Sequence, residues 1–263
     1  MKDLQTVISV QGGRRLLEGP RAHRPLVSII TVVFNAVGEL CPLIESVFAC
    51  ANEDIEFLII DGGSKDGTVE LLREWDTRLD YWLSESDNGI YDAMNKGIAA
   101  ATGTYVLHLN AGDRLICLPI DCLESCQLDD VDVVTFPVSI DDIYIFSPKT
   151  AFALRFVNTW HHQGTFYRRE IHPGYDTSYK IFGDMHANQK LFKQGCVVKI
   201  FDTVVANHRN DGISNQSEGA SEMYRSIRAN FGPFYLVLAF IRFKYLGLRQ
   251  RIQRVREKAP GTV

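Results

Sequence analysis

The sequence lacks a paired-cysteine motif. Its six cysteines are scattered, and no two have the Cys-x-x-Cys spacing of a zinc site or a redox centre. Unpaired cysteines in apolar surroundings behave as small hydrophobic residues, so we expect reduced thiols in the core of a cytosolic protein. These six are Cys41, Cys50, Cys117, Cys122, Cys126 and Cys196.

Long apolar runs and a strong excess of one charge are also missing. Residues 1–20 contain no apolar core of signal-peptide length, which favours a cytoplasmic location. The apolar run 234–241 is far shorter than the ~20 residues that span a bilayer. A net charge of -4 gives no general reason to bind nucleic acid. With 46% hydrophobic residues in 263, the chain can bury one large core or two joined ones.

The first half of the chain alternates strands and helices. Residues 26–35 form a run rich in β-branched residues, which is typical of a central parallel strand covered on both faces. An amphipathic helix over 37–51, a second strand over 55–60 and a helix starting at Val69 follow. Such βαβ alternation predicts an α/β fold, a Rossmann-like, doubly wound and mostly parallel sheet. Residues 1–25 are polar, and we expect them to be a loosely attached N-terminal extension.

Two strand ends carry candidate functional residues. Asp61 opens a Gly-rich loop, 61–68, whose backbone can approach a ligand closely, although a turn capped by Ser64 or Asp66 explains it equally. The loop is neither GxGxxG nor a P-loop. After a helix near 90–101 and a strand over 105–109, Asp113 follows a strand end, where α/β sheets bind ligands. The alternative for Asp113 is a helix cap or a turn.

The second half is predicted to contain a strand over 131–138 with a hairpin partner at 143–146, a helix over 185–194, and strands over 197–200 and 203–206. His161 and His162 are neighbours on a presumed strand, so their side chains should point to opposite faces.

Three segments carry a family resemblance, namely PLVSIITVVFN, FLIIDGGSKDGT and SESDNGIYDAMNKGIAAATGTYVLHLNAGDRL. In this order and spacing they resemble the family 2 glycosyltransferases of the GT-A fold, especially bacterial polysaccharide-assembly members. HHQGTFYRRE, YDTSYKIFGDMHANQKLFKQG and NDGISN extend the resemblance over residues 26–215. It implies a nucleotide-sugar-binding half over 26–115 and a smaller acceptor and catalytic half over 116–215, followed by C-terminal helices in 216–263.

The resemblance implies a role for each matching residue. Asp113 would hold Mg²⁺ or Mn²⁺ against the diphosphate of the donor, with His208 as a further metal ligand. Asp184 would be the base that deprotonates an incoming hydroxyl in an inverting transfer, although an N-cap role for Asp184 stays open. His162 and Gln163 would contact acceptor or donor sugar. The nucleotide-sugar contacts would be Phe34, Asp61, Asp87, Lys96, Asn110 and Arg209.

Two motifs depart from the family pattern. Asp61-Gly62 stands where many members have Asp-Asp, and Asn110-Ala111-Gly112-Asp113 stands where many have Asp-x-Asp-Asp. The second motif keeps only one carboxylate. An alternative therefore stays open, namely a nucleotide-sugar-binding protein that has lost catalysis. A nucleotidyltransferase would need a Gly-rich phosphate loop after the first strand, which Phe34 to Val37 do not provide.

The C-terminal region 232–258 is apolar at first and then strongly basic. This pattern is typical of a helix lying on an anionic membrane, and a helix packed on the core or on a second copy is the alternative. The resemblance implies an acceptor that is a glycan or a lipid-linked glycan. Membrane contact would suit the latter.

Overall fold

The architecture is known from a computed structural model. It describes residues 9–50, 52–209 and 219–258, and from residue 247 onward it describes the backbone alone. The strands are β1 Val10–Gly12, β2 Val27–Val33, β3 Ile55–Asp61, β4 Tyr81–Ser84, β5 Tyr105–His108, β6 Arg114–Leu115, β7 Val133–Thr135, β8 Val138–Ile140, β9 Tyr144–Phe146, β10 Thr165–Arg168, β11 Val198–Ile200 and β12 Ala206–His208. The helices are α1 Arg14–Glu18, α2 Val37–Cys50, α3 Thr68–Glu74, α4 Ile90–Ala100, α5 Ile120–Leu128, α6 Gly183–Gln194 and α7 Gly219–Lys258.

The large sheet has eight strands in the order β1-β4-β3-β2-β5-β10-β7-β11. Strands β4, β3, β2 and β5 run parallel, and every residue of β2 and β3 is buried. Burial on both faces explains why these two strands read as continuous apolar runs. The predicted α/β class with a mostly parallel sheet is confirmed.

The register of the parallel strands brings the candidate loops to one edge. Val33 pairs with Asp61 at the carboxyl ends of β2 and β3, and Ile30 pairs with His108 at the end of β5. The loops after β2, β3 and β5 therefore leave the sheet side by side. They form the floor of the crevice in which such sheets bind ligands.

A second sheet of four strands, β6-β12-β8-β9, stands beside that edge. It corrects two strand predictions. Residues 131–138 do not form one strand, because the chain turns at Phe136-Pro137 and sends β7 into the large sheet and β8 into the small one. The strand expected at 203–206 instead lies at β12, which places His208 at its end. The predicted hairpin is confirmed, since β9 pairs antiparallel with β8.

The N-terminal segment corrects a further expectation, since residues 9–24 are not loosely attached. Strand β1 pairs antiparallel with β4 at the edge of the large sheet. Arg14 and Arg21 both form ion pairs with buried Asp80, at 2.8 and 2.7 Å, and Arg15 pairs with buried Glu56. Composition suggested a free tail because the partner carboxylates lie 41 to 66 residues away, and nothing local in the sequence identifies them.

Helix α7 is bent at Gly232, whose φ of 84° is open to glycine but rarely to other residues. The first half packs on α6, and the second half folds back so that Phe240 stacks on Tyr224 with ring centroids 4.2 Å apart. In the part of the chain that the structure describes, no helix combines the length and the apolar character needed to cross a membrane.

Candidate functional site

Asp113 lies in the turn between β5 and β6 and is only 4% exposed. The turn is closed by two hydrogen bonds, from the Asn110 backbone N–H to Asp113 Oδ2 at 2.7 Å and from the Asp113 N–H to the Asn110 carbonyl at 2.9 Å. Gly112 has a φ of 94° within this turn. The turn therefore fixes the Asp113 carboxylate at the sheet edge.

Two side chains from distant parts of the chain meet this carboxylate. His208 Nδ1 lies 2.8 Å from Asp113 Oδ1, and Gln163 Nε2 donates to Asp113 Oδ2 at 2.9 Å. Gln163 sits in the 3₁₀ turn His162–Gly164, which packs so tightly that a Cβ on Gly164 would lie 2.5 Å from the Phe136 carbonyl. The close approach of this turn brings Gln163 to the carboxylate.

The donor set around Asp113 fits a divalent cation. It offers a carboxylate and an imidazole, and the buried oxygens Gln163 Oε1 and Asn110 Oδ1 have no hydrogen-bond partner. Buried acceptors are normally paired, so unpaired oxygens beside a carboxylate suit a bound cation. Over the described ranges no three His, Cys, Asp or Glu side chains group as a metal site. An ion held here would take its remaining ligands from the donor phosphates or water.

Asp184 is the second residue of α6 rather than its N-cap. Its Oδ1 accepts from the Met185 N–H at 2.7 Å, and its Oδ2 accepts from Asn158 Nδ2 at 2.7 Å. His162 Nδ1 lies 3.4 Å from the same Oδ2. The carboxylate is thus held in one orientation by groups from three parts of the chain.

His162 and Asn110 connect the two carboxylates. His162 Nε2 lies 3.3 Å from Asn110 Nδ2, and Asn110 is bonded through its backbone to Asp113. A continuous series of contacts therefore runs from Asp113 through Asn110 and His162 to Asp184. The two acids, 71 positions apart by their numbering (184 minus 113), belong to one site.

His161 does not point away from His162 as a strand would require. The two rings stack with centroids 5.5 Å apart and an interplanar angle of 30°, and His161 also lies 4.9 Å from the His208 ring. The prediction of opposite faces is wrong because His162 begins a 3₁₀ turn rather than continuing a strand. Burial, helped by the neighbouring His162 and His208, lowers the pKa of His161 to about 3, so this ring stays neutral.

The predicted nucleotide side lies at the ends of β2 and β3. Phe34 is 63% exposed, and a Cβ on Gly62 would lie 2.5 Å from Asp87 Oδ2 and 3.3 Å from the Phe34 ring. Gly62 thus leaves space between these two side chains. Asp61, in contrast, is fully buried, and its carboxylate already accepts bonds from Gly63, Ser64 and Ser84. The structure gives Asp61 a role in shaping the loop, and a contact with the base stays a prediction.

Lys96 and Arg209 each pair with an acidic side chain. Lys96 Nζ donates to the Ser86 carbonyl at 3.0 Å and pairs with Glu85 at 2.9 Å, so it holds the loop that carries Asp87. Arg209 lies 3.6 Å from Glu39, and both line a cavity of about 410 Å³ that Asp113 also borders. The segment NDGISN, which resembles the family's closing loop, lies outside the described residues.

Two positioning residues escaped the sequence analysis. Asn158 donates to Asp184, and Glu222 at the start of α7 accepts from the backbone N–H groups of Lys180, Ile181 and Phe182. Burial alone would raise the pKa of Glu222, but these three bonds outweigh it and lower the pKa. No local pattern predicts either contact, since each partner is at least 26 residues away.

Comparison with known proteins agrees with this geometry. Residues 28–115 match the family model described as glycosyl transferase family 2. An uncharacterized glycosyltransferase of Mycobacterium tuberculosis is 44% identical over 91 residues, 34% of this chain and 35% of the relative, so the match spans about a third of that relative's length. The PGL/p-HBAD biosynthesis glycosyltransferase of the same species is 29% identical over 207 residues, covering 73% of this chain and 80% of the relative.

Solved structures share the fold. TarS 1–349 of S. aureus in complex with UDP-GlcNAc has a TM-score of 0.63 at 15% identity, covering 78% of this chain and 66% of that chain. The mannosyltransferase PcManGT of Pyrobaculum calidifontis, in complex with GDP-Man and Mn²⁺, has a TM-score of 0.55 at 18% identity, covering 87% and 69%. The chain therefore has the GT-A fold, and the family match over residues 28–115 together with these relatives supports a family 2 glycosyltransferase.

Proposed function

We propose that this protein is an inverting glycosyltransferase that moves a sugar from a nucleotide-diphosphate donor to a hydroxyl group of a glycan or lipid-linked glycan. The observation that carries the proposal is the series of contacts joining Asp113 to Asp184 through Asn110 and His162. We assign Asp113 to the leaving diphosphate and Asp184 to the attacking hydroxyl. Two acids are needed because attack and departure occur on opposite faces of one sugar. A binding protein without catalysis would not need Asp184 held by two hydrogen bonds and a contact with His162.

Asp113 and His208 are the proposed ligands of a divalent cation, with Gln163 and Asn110 supplying neighbouring oxygens. Bound there, Mg²⁺ or Mn²⁺ would neutralise the charge that collects on the diphosphate as its bond to the sugar breaks. The presence of Mn²⁺ beside GDP-Man in the related mannosyltransferase supports this choice. Arg209 is the proposed partner of a phosphate group, and the cavity that it shares with Asp113 supports this role.

Asp184 is the proposed base. It accepts the proton of the acceptor hydroxyl while that oxygen attacks the anomeric carbon, and the nucleoside diphosphate leaves from the opposite face. His162 and Gln163 are the proposed contacts of the sugars, and their positions next to Asp184 and Asp113 support this role. Phe34, Asp87 and Lys96 would border the nucleotide at the ends of β2 and β3, with Asp61 beneath them.

The acceptor belongs to surface polysaccharide or glycolipid assembly in this proposal. The name of the mycobacterial relative, a PGL/p-HBAD biosynthesis glycosyltransferase, supports that class. We place the reaction in the cytoplasm, with peripheral attachment to the inner face of the cell membrane.

A donor panel tests the proposal. UDP-, GDP- and dTDP-sugars are mixed with the protein in Mn²⁺, in Mg²⁺ and in EDTA, and the melting temperature is followed. One nucleotide class should raise the melting temperature in the presence of metal and lose most of this effect in EDTA, because a ligand that binds the folded state stabilises it.

Asp113→Ala is the matching variant. It should abolish the increment due to metal while keeping any increment due to the nucleotide alone. Stabilisation by no donor in any metal, or the same metal increment in Asp113→Ala as in the wild type, would count against the proposed site.

A further inference from the structure

The second half of α7, after Gly232, presents two apolar faces that point in opposite directions. Tyr235, Ala239 and Phe243 face the protein and pack in one cluster with Met185 and Ile227. On the other side Phe234, Val237, Ile241 and Tyr245 are each more than half exposed. Their spacing of three, four and four residues places them in one stripe along the helix.

This outer stripe is larger than a scatter of single exposed residues. The backbone continues as a helix to Lys258, and the sequence repeats an apolar residue at the same three- or four-residue spacing at 248, 252 and 255. Four exposed apolar side chains in one stripe are typical of a surface that binds a partner. Two partners have the right shape, a second copy of the helix and the surface of a lipid bilayer.

Charge decides between them. From Arg242 to Lys258 the sequence has seven lysines and arginines and a single acidic residue, Glu257. A second copy would bring the same cations against each other, without the opposite charges that normally flank a helix pair. An anionic bilayer matches both features of the helix. Its acyl chains accept the apolar side chains, and its anionic headgroups attract the flanking lysines and arginines.

We infer that the second half of α7 docks on an anionic membrane surface through the stripe Phe234, Val237, Ile241 and Tyr245, with Arg242 and Lys244 contacting the headgroups. The first half of the same helix holds residues 180–182 through Glu222, directly before Asp184. Docking would thus place the catalytic crevice near the membrane. The biological reason for docking rests on the lipid-linked acceptor of the proposed function. Binding of the helix to a membrane does not depend on the transfer reaction.

Vesicle flotation tests the surface without any sugar substrate, so its failure leaves the proposed transfer intact. The full chain is floated with vesicles of phosphatidylglycerol and phosphatidylcholine, and with phosphatidylcholine alone. The wild type should float with the anionic vesicles and lose binding as salt rises. The double variant Val237→Asp/Ile241→Asp should bind at least about tenfold more weakly.

Two comparisons make the test specific. Leu128→Asp/Ile143→Asp adds the same charge at two exposed apolar positions elsewhere and should float like the wild type. Arg242→Gln/Lys244→Gln leaves the apolar stripe unchanged and should weaken binding roughly tenfold or more. Absence of wild-type flotation, or equal flotation of Val237→Asp/Ile241→Asp, would overturn the inference. So would a dimer in sedimentation that this variant dissociates while vesicles bind nothing.

Discussion

At the scale of single residues, the orientation of Asp184 depends on Asn158. Asn158 Nδ2 donates to Asp184 Oδ2 at 2.7 Å, and Asn158 Oδ1 accepts from Asn188 Nδ2 at 2.9 Å. An amide fixed at both ends holds the carboxylate toward the crevice. If Asp184 is the base, as proposed, it must point at the proton it removes, and small losses of orientation lower the rate of reaction more than they weaken binding.

Asn158→Ala should therefore reduce kcat by roughly 10- to 100-fold while the affinity for the donor stays near that of the wild type. The measurement is steady-state kinetics beside a donor titration. Asn95→Ala is the matched control, since Asn95 also exchanges two hydrogen bonds with a loop, at Tyr175, but touches neither acid. A loss of kcat as large in Asn95→Ala as in Asn158→Ala would argue against a specific role.

Buried histidines give the stability a pH dependence. Burial lowers the pKa of His172 and of His186 to about 4, the latter with a smaller contribution from Lys190. The unfolded chain, with histidine pKa values near 6.5, takes up protons between pH 6.5 and 4 that the folded chain does not. The contribution of these histidines to the free energy of unfolding should therefore be constant above pH 7 and fall as the pH drops through this window.

Between pH 6.5 and 4, each histidine adds at most about 1.4 kcal/mol per pH unit to the slope of the free energy of unfolding against pH. Glu222, whose pKa is lowered, loses its contribution only below the ordinary pKa of a glutamate, at the acid end of the window. Urea unfolding at several pH values measures the slope, and His172→Asn should reduce it. A stability that does not change between pH 7 and 5 would show that these rings are not held neutral.

At the scale of elements, the strands that are buried on both faces, β2 and β3, could be predicted from the sequence. The separation of β7 from β8 was not predicted. Strands β2 and β3 carry continuous apolar runs whose pattern is set locally. The Phe136 N–H still bonds to the Gly164 carbonyl in the β7–β10 register, and the pairing stops at Pro137, which has no N–H to donate. Pro137 is a local signal for this break, and the single strand predicted over 131–138 ran through it.

The N-terminal segment gives the clearest prediction for an element. Asp80 accepts from Arg14, from Arg21 and from the backbone N–H of Phe57. Asp80→Ala would leave the buried Phe57 N–H unpaired and would remove the partner of two partly exposed guanidinium groups, which together should cost about 2 kcal/mol. Chemical denaturation should show a loss of that order.

Glu170→Ala is the control for this variant. Glu170 pairs with Arg24, and both side chains are largely exposed, so its removal should cost less than about 1 kcal/mol. Equal effects of the two variants would mean that residues 9–24 are not anchored through Asp80.

At the scale of the whole molecule, the site forms where three separate stretches reach one edge of the large sheet. Asp113 lies in the turn after β5, His208 ends β12, and Asp184 lies at the start of α6. Strand ends and helix starts are recognisable in a sequence, so these three could be proposed from it. Asn158 and Glu222 could not, because they act only through contacts that folding creates.

The central claim is that Asp113 and Asp184 act on the same sugar from opposite sides. The most direct measurement is a crystal structure of the protein with Mn²⁺ and the nucleotide sugar that stabilises it, using the anomalous signal of the metal. We expect Mn²⁺ bound to Asp113 and His208, and the anomeric carbon of the donor on the side that faces Asp184. A metal bound away from Asp113, or a sugar whose anomeric carbon faces away from Asp184, would contradict the account.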